Sequence, residues 1–254
     1  MKELSILAKQ ALFHGQQLGV SDNIHLDDFI FQFLINNPSF NTHEDAVKYY
    51  FNDGRKSARH LLAVLNSMGP RFHGSISMLE FASGYGCVTR HLSLVMPYIN
   101  FTACDIHIEA VKFISEKLGQ TSIISHQDPA NFALSQKYDV IFSLSFFSHM
   151  PRKTWGRWIS AHFQHLNPGG ALIFTTHGLL SKKHLGNPEI PSDGFWFKPQ
   201  SEQFDLDNSE YGLTLVTREF VEQEIYTQIK RPITRYEQGF WWEHQDLYIV
   251  LDGN

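Results

Sequence analysis

The sequence predicts an α/β protein, a mostly parallel twisted sheet layered between helices and preceded by a helical segment. Two observations carry that expectation. From Ser77 onward, short apolar runs alternate with helix-like stretches. Before that point the apolar spacing is helical only.

In chain order, Asp45 to Phe51 reads as a helix running toward a breaker at Asn52-Asp53-Gly54. A second helix over Ser57 to Met68 places Leu61, Leu62 and Leu65 on one face and stops at Gly69-Pro70. The strand candidates are Met78 to Ala82, Phe101 to Cys104, Ser122 to Ser125, Tyr138 to Leu144 and Ala171 to Thr175, with helices between them at His91 to Met96, Glu109 to Leu118 and Pro151 to Leu166. Strand–helix–strand repetition places strands parallel, with crossover helices covering both faces. From about Gly178 a long irregular stretch follows, rich in Pro, Gly and aromatics, and a loop of that length is usually functional. Strand character returns at Leu213 to Val216 and at Leu247 to Leu251. The expected organisation is a helical cap over 1–74 and an α/β domain over 75–254, with an aromatic-rich insertion at about 178–212.

The composition fits one substantial core. Of 254 residues, 43% are hydrophobic and 19% charged, which excludes wholesale disorder. A net charge of −5 argues against a nucleic-acid-coating surface. Two cysteines, Cys87 and Cys104, are too few for a disulfide framework or a four-thiolate zinc site. The N-terminal apolar run is too short for a signal peptide, and no stretch approaches a membrane span. The expectation is a soluble, cytoplasmic protein with no membrane and no nucleic-acid partner.

The most informative stretch is Leu79 to Gly86, which ends one strand and opens a helix. Gly84 and Gly86 allow a tight turn and a close approach of backbone to ligand. Such a turn borders the crevice where open parallel sheets bind ligands. Asp105 ends the next strand, where an acid bonds a ribose diol, and Gln127-Asp128 follows the third. This layout suits a nucleoside. A dinucleotide fingerprint needs Gly or Ala where Thr89 stands, and it has no use for the acid at Glu80. Glu80 suits a ligand carrying an ammonium group, so a cationic amino-acid nucleoside fits better.

On these residues the chain resembles the class I S-adenosylmethionine-dependent methyltransferases. Their acid-x-Gly-x-Gly-x-Gly motif is matched by Glu80 to Gly86, with Ala82 in place of the first glycine. The resemblance implies a seven-stranded-type sheet, S-adenosylmethionine as cofactor and contacts to it from Glu80, Ala82, Ser83, Gly84 and Gly86. It also implies Asp105 at the ribose, Ile106 beneath adenine, Gln127 and Asp128 at the adenine amine, and Ser143 and Ser145 at the end of the fourth strand. Ser145 to Pro151 looks like the substrate-facing loop, and Leu166-Asn167-Pro168-Gly169-Gly170 like the approach to the fifth strand. Tyr50-Phe51-x-x-Gly54 and His244 to Tyr248 resemble a subset associated with glycans and other small molecules, with Tyr50 either closing over the cofactor or filling the core.

For the chemistry, His149 is the leading candidate base and His177 the second, because a pKa of about 6.5 lies near working pH; the alternative reading of His149 is a loop histidine that shapes the pocket. Phe146, Phe195, Trp196, Trp241 and Trp242 are candidate acceptor contacts, since aromatics in irregular sequence line pockets as well as cores. His162-x-x-His165 has helical spacing for a metal, but with no thiolate or carboxylate in register a solvated helix face is expected. Ser145-Phe146-Phe147-Ser148 lacks the Pro-Pro signature of amino-methylating DNA enzymes, the paired glutamates of arginine methyltransferases and the acid of magnesium-dependent catechol enzymes. The expected activity is metal-independent O-methylation of a small-molecule or glycan acceptor. The alternatives are a non-catalytic cofactor-binding module and, less favoured, a nicotinamide oxidoreductase.

Overall fold

The structure is a computed structural model that describes residues 2–201 and 203–253. Two compact units divide the chain, Met1–Ser125 and His126–Asn254. The first opens with helices α1 (Lys2–Leu18), α2 (Phe29–Ile35) and α3 (His43–Ser67). Asp28 caps α2 by accepting the Phe31 N–H at 3.0 Å, and Thr42 caps α3 by accepting the Asp45 N–H at 3.1 Å. Glu44 and Asp45 add negative charge to the positive end of α3. Ala46, Val47, Tyr50 and Phe51 of α3 pack with Phe31 and Leu34 of α2 and Ala11 of α1 into a buried cluster.

The breaker expected at Asn52-Asp53-Gly54 does not break α3, which runs unbroken through it. Asn52 turns its amide back to the Lys48 carbonyl at 2.9 Å. Gly54 lies so close to its neighbour that a Cβ there would sit 2.1 Å from the Cys87 carbonyl oxygen. The glycine thus serves helix contact rather than helix termination.

Next come β1 (Ser77–Phe81), α4 (Thr89–Val95), β2 (Asn100–Asp105), α5 (Ile108–Lys117) and β3 (Ser122–Ile124). β1 and β2 pair in parallel, as do β2 and β3. Met78, Leu79 and Phe81 of β1 are all buried, as expected of a strand covered on both faces.

The second unit contains β4 (Tyr138–Ser143), α6 (Arg152–Gln164), β5 (Leu166–His177), β6 (Phe195–Lys198), β7 (Leu213–Val216), α7 (Arg218–Ile229), β8 (Arg235–Trp241) and β9 (Gln245–Leu251). β4 and β5 are parallel, whereas β9 runs antiparallel to both β5 and β8. The seven-stranded, mostly parallel sheet takes β3-β2-β1 from the first unit and β4-β5-β9-β8 from the second, in those orders. Trp155 of α6 is fully buried, 5.0 Å from the Phe147 ring, and Phe174 of β5 stacks on Tyr248 of β9 at 5.3 Å. Burying one such ring contributes about 1.5–3 kcal/mol.

The stretch after Gly178 is less irregular than its composition suggests. A 3-10 turn occupies Leu179–Leu185, and Phe195-Trp196-Phe197 forms β6, paired antiparallel with β7 in a separate two-stranded sheet. Aromatic residues favour a pleated, half-buried surface, and that preference prevails here over the flanking prolines. Among the described residues no helix is long and apolar enough to cross a membrane.

Candidate functional site

In the first unit, the turn leaving β1 has three residues in the left-handed region: Ala82 (φ 58°), Gly84 (φ 55°) and Gly86 (φ 81°). For Ala82 that conformation costs roughly 1–2 kcal/mol, so alanine is accommodated in its glycine-like position at some strain. A Cβ built on Gly84 meets nothing within 4 Å, so this backbone borders open space. At Gly86 a Cβ would stand 2.4 Å from the Leu118 side chain. Ser83 is buried, and its N–H donates to the Cys104 carbonyl at 3.1 Å, tying the turn to the end of β2.

Asp105 completes this tie. Its Oδ2 accepts the Gly84 N–H at 2.8 Å, while Oδ1 accepts the His107 backbone N–H at 3.0 Å and the His107 Nδ1–H at 2.8 Å. Asp105 is not the cap of α5; His107 holds that position. Glu80 is also buried, and its Oε2 accepts from Thr89 Oγ1 at 2.7 Å. Burial, with the Asp105 charge nearby, pushes the Glu80 carboxyl up to about 8, against the weaker opposing pull of the Thr89 hydrogen bond. At neutral pH the Glu80 carboxyl therefore holds its proton, and a cationic group bound beside the turn would favour its release.

The structure thus brings Glu80, Ala82, Ser83, Gly84, Gly86 and Asp105 together as the sequence spacing predicts, with Ile106 half-buried just beyond β2. Tyr50 is fully buried, and its hydroxyl donates to Asp28 Oδ2 at 2.6 Å and accepts from Arg90 Nη2 at 3.1 Å. Of the two readings of Tyr50, this placement matches the core residue. Burial pushes the thiols of Cys87 and Cys104 up, in keeping with inert sulfur.

In the second unit, Gln127 is exposed, and Asp128 starts the 3-10 turn Pro129–Asn131 by accepting the Ala130 N–H at 2.9 Å. The same Asp128 oxygen accepts from Arg157 at 2.6 Å. Ser143 is fully buried, and its Oγ has no hydrogen-bond partner among the described residues. Ser145, at φ 61°, donates its N–H to Thr175 Oγ1 at 2.8 Å, and its hydroxyl accepts from Gln245 Nε2 at 2.9 Å.

The two candidate bases lie side by side. His149 and His177 are both buried, with ring centroids 6.1 Å apart. His149 Nδ1 is 2.8 Å from the Gly212 carbonyl, and His177 Nδ1 is 3.1 Å from that of Thr214. Carbonyls only accept, so each Nδ1 carries the hydrogen and each Nε2 is the basic nitrogen. Burial, then the neighbouring His149 and His244, hold the His177 imidazole down at about 3, so it is neutral at working pH. Tyr211 lies flat on His149 at 4.5 Å, and His244 lies 5.9 Å from His177. Nothing in the sequence marks Tyr211; His244 and Gln245 fall within the closing stretch already noted.

Several aromatic expectations need correction. Phe146 packs against Phe147 at 5.2 Å and Trp158 at 5.3 Å; Phe195 packs on Phe220 at 5.0 Å; Trp241 packs on Phe142 at 5.6 Å. All three are buried and belong to the core: Phe146 sits in the loop after β4 against Trp158 of α6, Phe195 of β6 against Phe220 of α7, and Trp241 of β8 against Phe142 of β4. Trp196 and Trp242 keep part of their surface open, and Trp242 lies nearly parallel to His244 at 6.3 Å. His162 is not on a solvated face: it is fully buried, 5.6 Å from the Trp158 ring and 5.8 Å from Phe147, and burial lowers its pKa to about 3. Among the described residues no group of three or more His, Cys, Asp or Glu is placed to hold a metal.

Comparison with known proteins places these features in context. Residues 79–172 match the family model of a methyltransferase domain. The chain is 31% identical over 136 residues to the malonyl-(acyl-carrier protein) O-methyltransferase of Bacillus cereus strain ATCC 14579, covering 52% of this chain and 49% of that protein. The chain therefore spans about half the length of the curated relatives it matches. Its fold is shared with an S-adenosylmethionine-dependent methyltransferase from Clostridium acetobutylicum ATCC 824, at a TM-score of 0.55 and 18% identity over 80% of this chain and 92% of that one. The glycopeptide N-methyltransferase MtfA complexed with S-adenosyl-L-homocysteine is similar at a TM-score of 0.55 and 16% identity, over 78% and 86% of the two chains.

Proposed function

We propose that this chain is a class I S-adenosylmethionine-dependent methyltransferase that methylates a hydroxyl oxygen on a small molecule or sugar, without a metal ion. The observation that carries the acceptor chemistry is the pair His149 and His177, buried side by side with ring centroids 6.1 Å apart and each with its Nδ1 on a backbone carbonyl. A neutral imidazole accepts a proton from a hydroxyl, whereas a carboxylate acceptor has no proton to give. The loop Ser145-Phe146-Phe147-Ser148 offers hydroxyls and rings rather than the carboxylates a magnesium ion requires.

The first unit's turn fits the donor. On this reading the open space at Gly84 takes the amino-acid tail, the Glu80 carboxyl answers the positive charge and Asp105, which also accepts the Gly84 N–H, takes the ribose hydroxyls. Bound there, S-adenosylmethionine supplies a methyl group activated by its sulfonium. The chain's own tasks are to hold the donor by the turn, to exclude water and to take the acceptor's proton. In this reading His149 Nε2 takes that proton, and the Gly212 carbonyl on Nδ1 stabilises the resulting imidazolium. Trp196 and Trp242, with part of their rings exposed, are the aromatic surfaces left to contact the acceptor.

The test is an untargeted acceptor screen with purified protein and methyl-labelled donor, run with His149→Ala in parallel. The expected products are methyl ethers, formed by the parent protein and not by the variant. Methyl esters or methylamines as the products would overturn the hydroxyl assignment. Donor binding with no product from any acceptor would favour a non-catalytic module.

A further inference from the structure

Arg90, on the first turn of α4, is only 4% exposed. A buried guanidinium persists only where acceptors replace its water. Its Nε–H donates to the Gly86 carbonyl at 3.0 Å, within the glycine turn. Its Nη1 donates to the carbonyls of Ser21 at 3.0 Å and Asn23 at 2.8 Å, in the segment between α1 and α2. Its Nη2 donates to the Tyr50 hydroxyl, which in turn donates to Asp28, so the segment's last residue joins the same network. The guanidinium also lies 5.2 Å from the Tyr50 ring and 5.4 Å from that of Phe51.

The anchored segment reaches the turn twice more. His25 stacks on Tyr85, which stands between Gly84 and Gly86, at 4.6 Å and 17°. Phe29 packs on His107 at 5.5 Å, and His107 is the residue that holds Asp105 Oδ1. Residues 19–29 therefore touch Gly86 through Arg90, Tyr85 through His25 and Asp105 through His107. Packing chosen only to bury α2 would not need contacts converging on the groups that surround the open glycine.

We propose that residues 19–29 form a strap that sets donor affinity, with Arg90 as its anchor and His25 and Phe29 as positioning residues that do not touch the donor. The proposal rests on the reading that this turn holds the donor. Arg90 fixes the Gly86 carbonyl, His25 fixes the plane of Tyr85, and Phe29 fixes the ring that orients Asp105. Lysine in place of Arg90 cannot reach its separate acceptors, because a single ammonium lacks the guanidinium's fork.

The test uses the full chain, calorimetric titration with S-adenosylhomocysteine and amide hydrogen exchange. His25 is half-buried at the surface, so His25→Ala is expected to fold, with its melting temperature within about 2–4 °C of the parent. It should bind the product nucleoside at least fivefold more weakly and raise the donor KM with little change in kcat. His25→Phe, which keeps a stacking ring, should restore affinity. Arg90→Lys should weaken binding further, and the nucleoside should slow exchange at residues 19–29 together with 84–86. Parent-like affinity in His25→Ala, with no protection of 19–29, would overturn the strap while leaving the donor site intact. Failure of the parent protein itself to bind would overturn the donor site, and the strap with it.

Discussion

The Thr89 hydroxyl donates to Glu80 Oε2 across 2.7 Å, joining the first residue of α4 to a buried acid in β1. Where a dinucleotide-binding turn would have a glycine or alanine, this chain has a threonine whose hydroxyl holds the acid of the turn. With the donor held at this turn as proposed, its binding is coupled to the protonation of Glu80.

The Glu80 carboxyl rises from 4.5 to about 8, chiefly through burial. Below about 8 the donor-free protein therefore holds a proton there, and a cationic donor favours its release. Donor affinity should rise with pH, by at most about tenfold per unit, and level off above that value. Calorimetry in buffers of different ionisation heat should show proton release at pH 7, and Glu80→Gln should abolish it. The raised value has the opposite consequence for folding: this group's stabilising contribution is present below 4.5 and lost as pH rises through about 8.

With His149 as the proposed base for the acceptor's proton, His149→Ala should lower kcat by about 10²–10⁴-fold and leave donor affinity unchanged. His177 is held near 3, so its own titration should leave no inflection in donor-saturated kcat between pH 5 and 8. Steady-state kinetics over that range checks both statements.

Gly54→Ala should destabilise the fold although alanine is the better helix former. The added Cβ would meet the Cys87 backbone carbonyl, built at 2.1 Å, and backbone cannot swing aside as a flexible side chain can. A loss of about 1–3 kcal/mol is expected from such overpacking, set against about 1 kcal/mol gained in helix propensity. Denaturant melts of the two proteins measure the difference.

The parts of this fold legible in the sequence are those with strong local signals. The β1 turn and Asp105 are read from spacing alone because a parallel strand pair fixes where each strand ends. The aromatic residues were harder, since Phe195 and Trp241 have the same composition signal whether they line a pocket or fill a core, and only strand pairing separates the two. The burial of His162 is hidden for a related reason: helical spacing shows which residues share a face, and α6 turns that face inward against Trp158 and Phe147. Gly54 looked like a stop because propensity carries no information about a partner 33 residues away in sequence, where Cys87 sits.

Whether the Glu80–Gly86 turn holds the methyl donor is decided by Gly84→Asn. Asparagine tolerates the left-handed φ of 55°, so the turn should persist while its side chain fills the space that Gly84 leaves open. The expected result is a melting temperature close to the parent's and a loss of at least tenfold in calorimetric affinity for S-adenosylhomocysteine, about 1.4 kcal/mol. Unchanged affinity in a folded Gly84→Asn protein would contradict it.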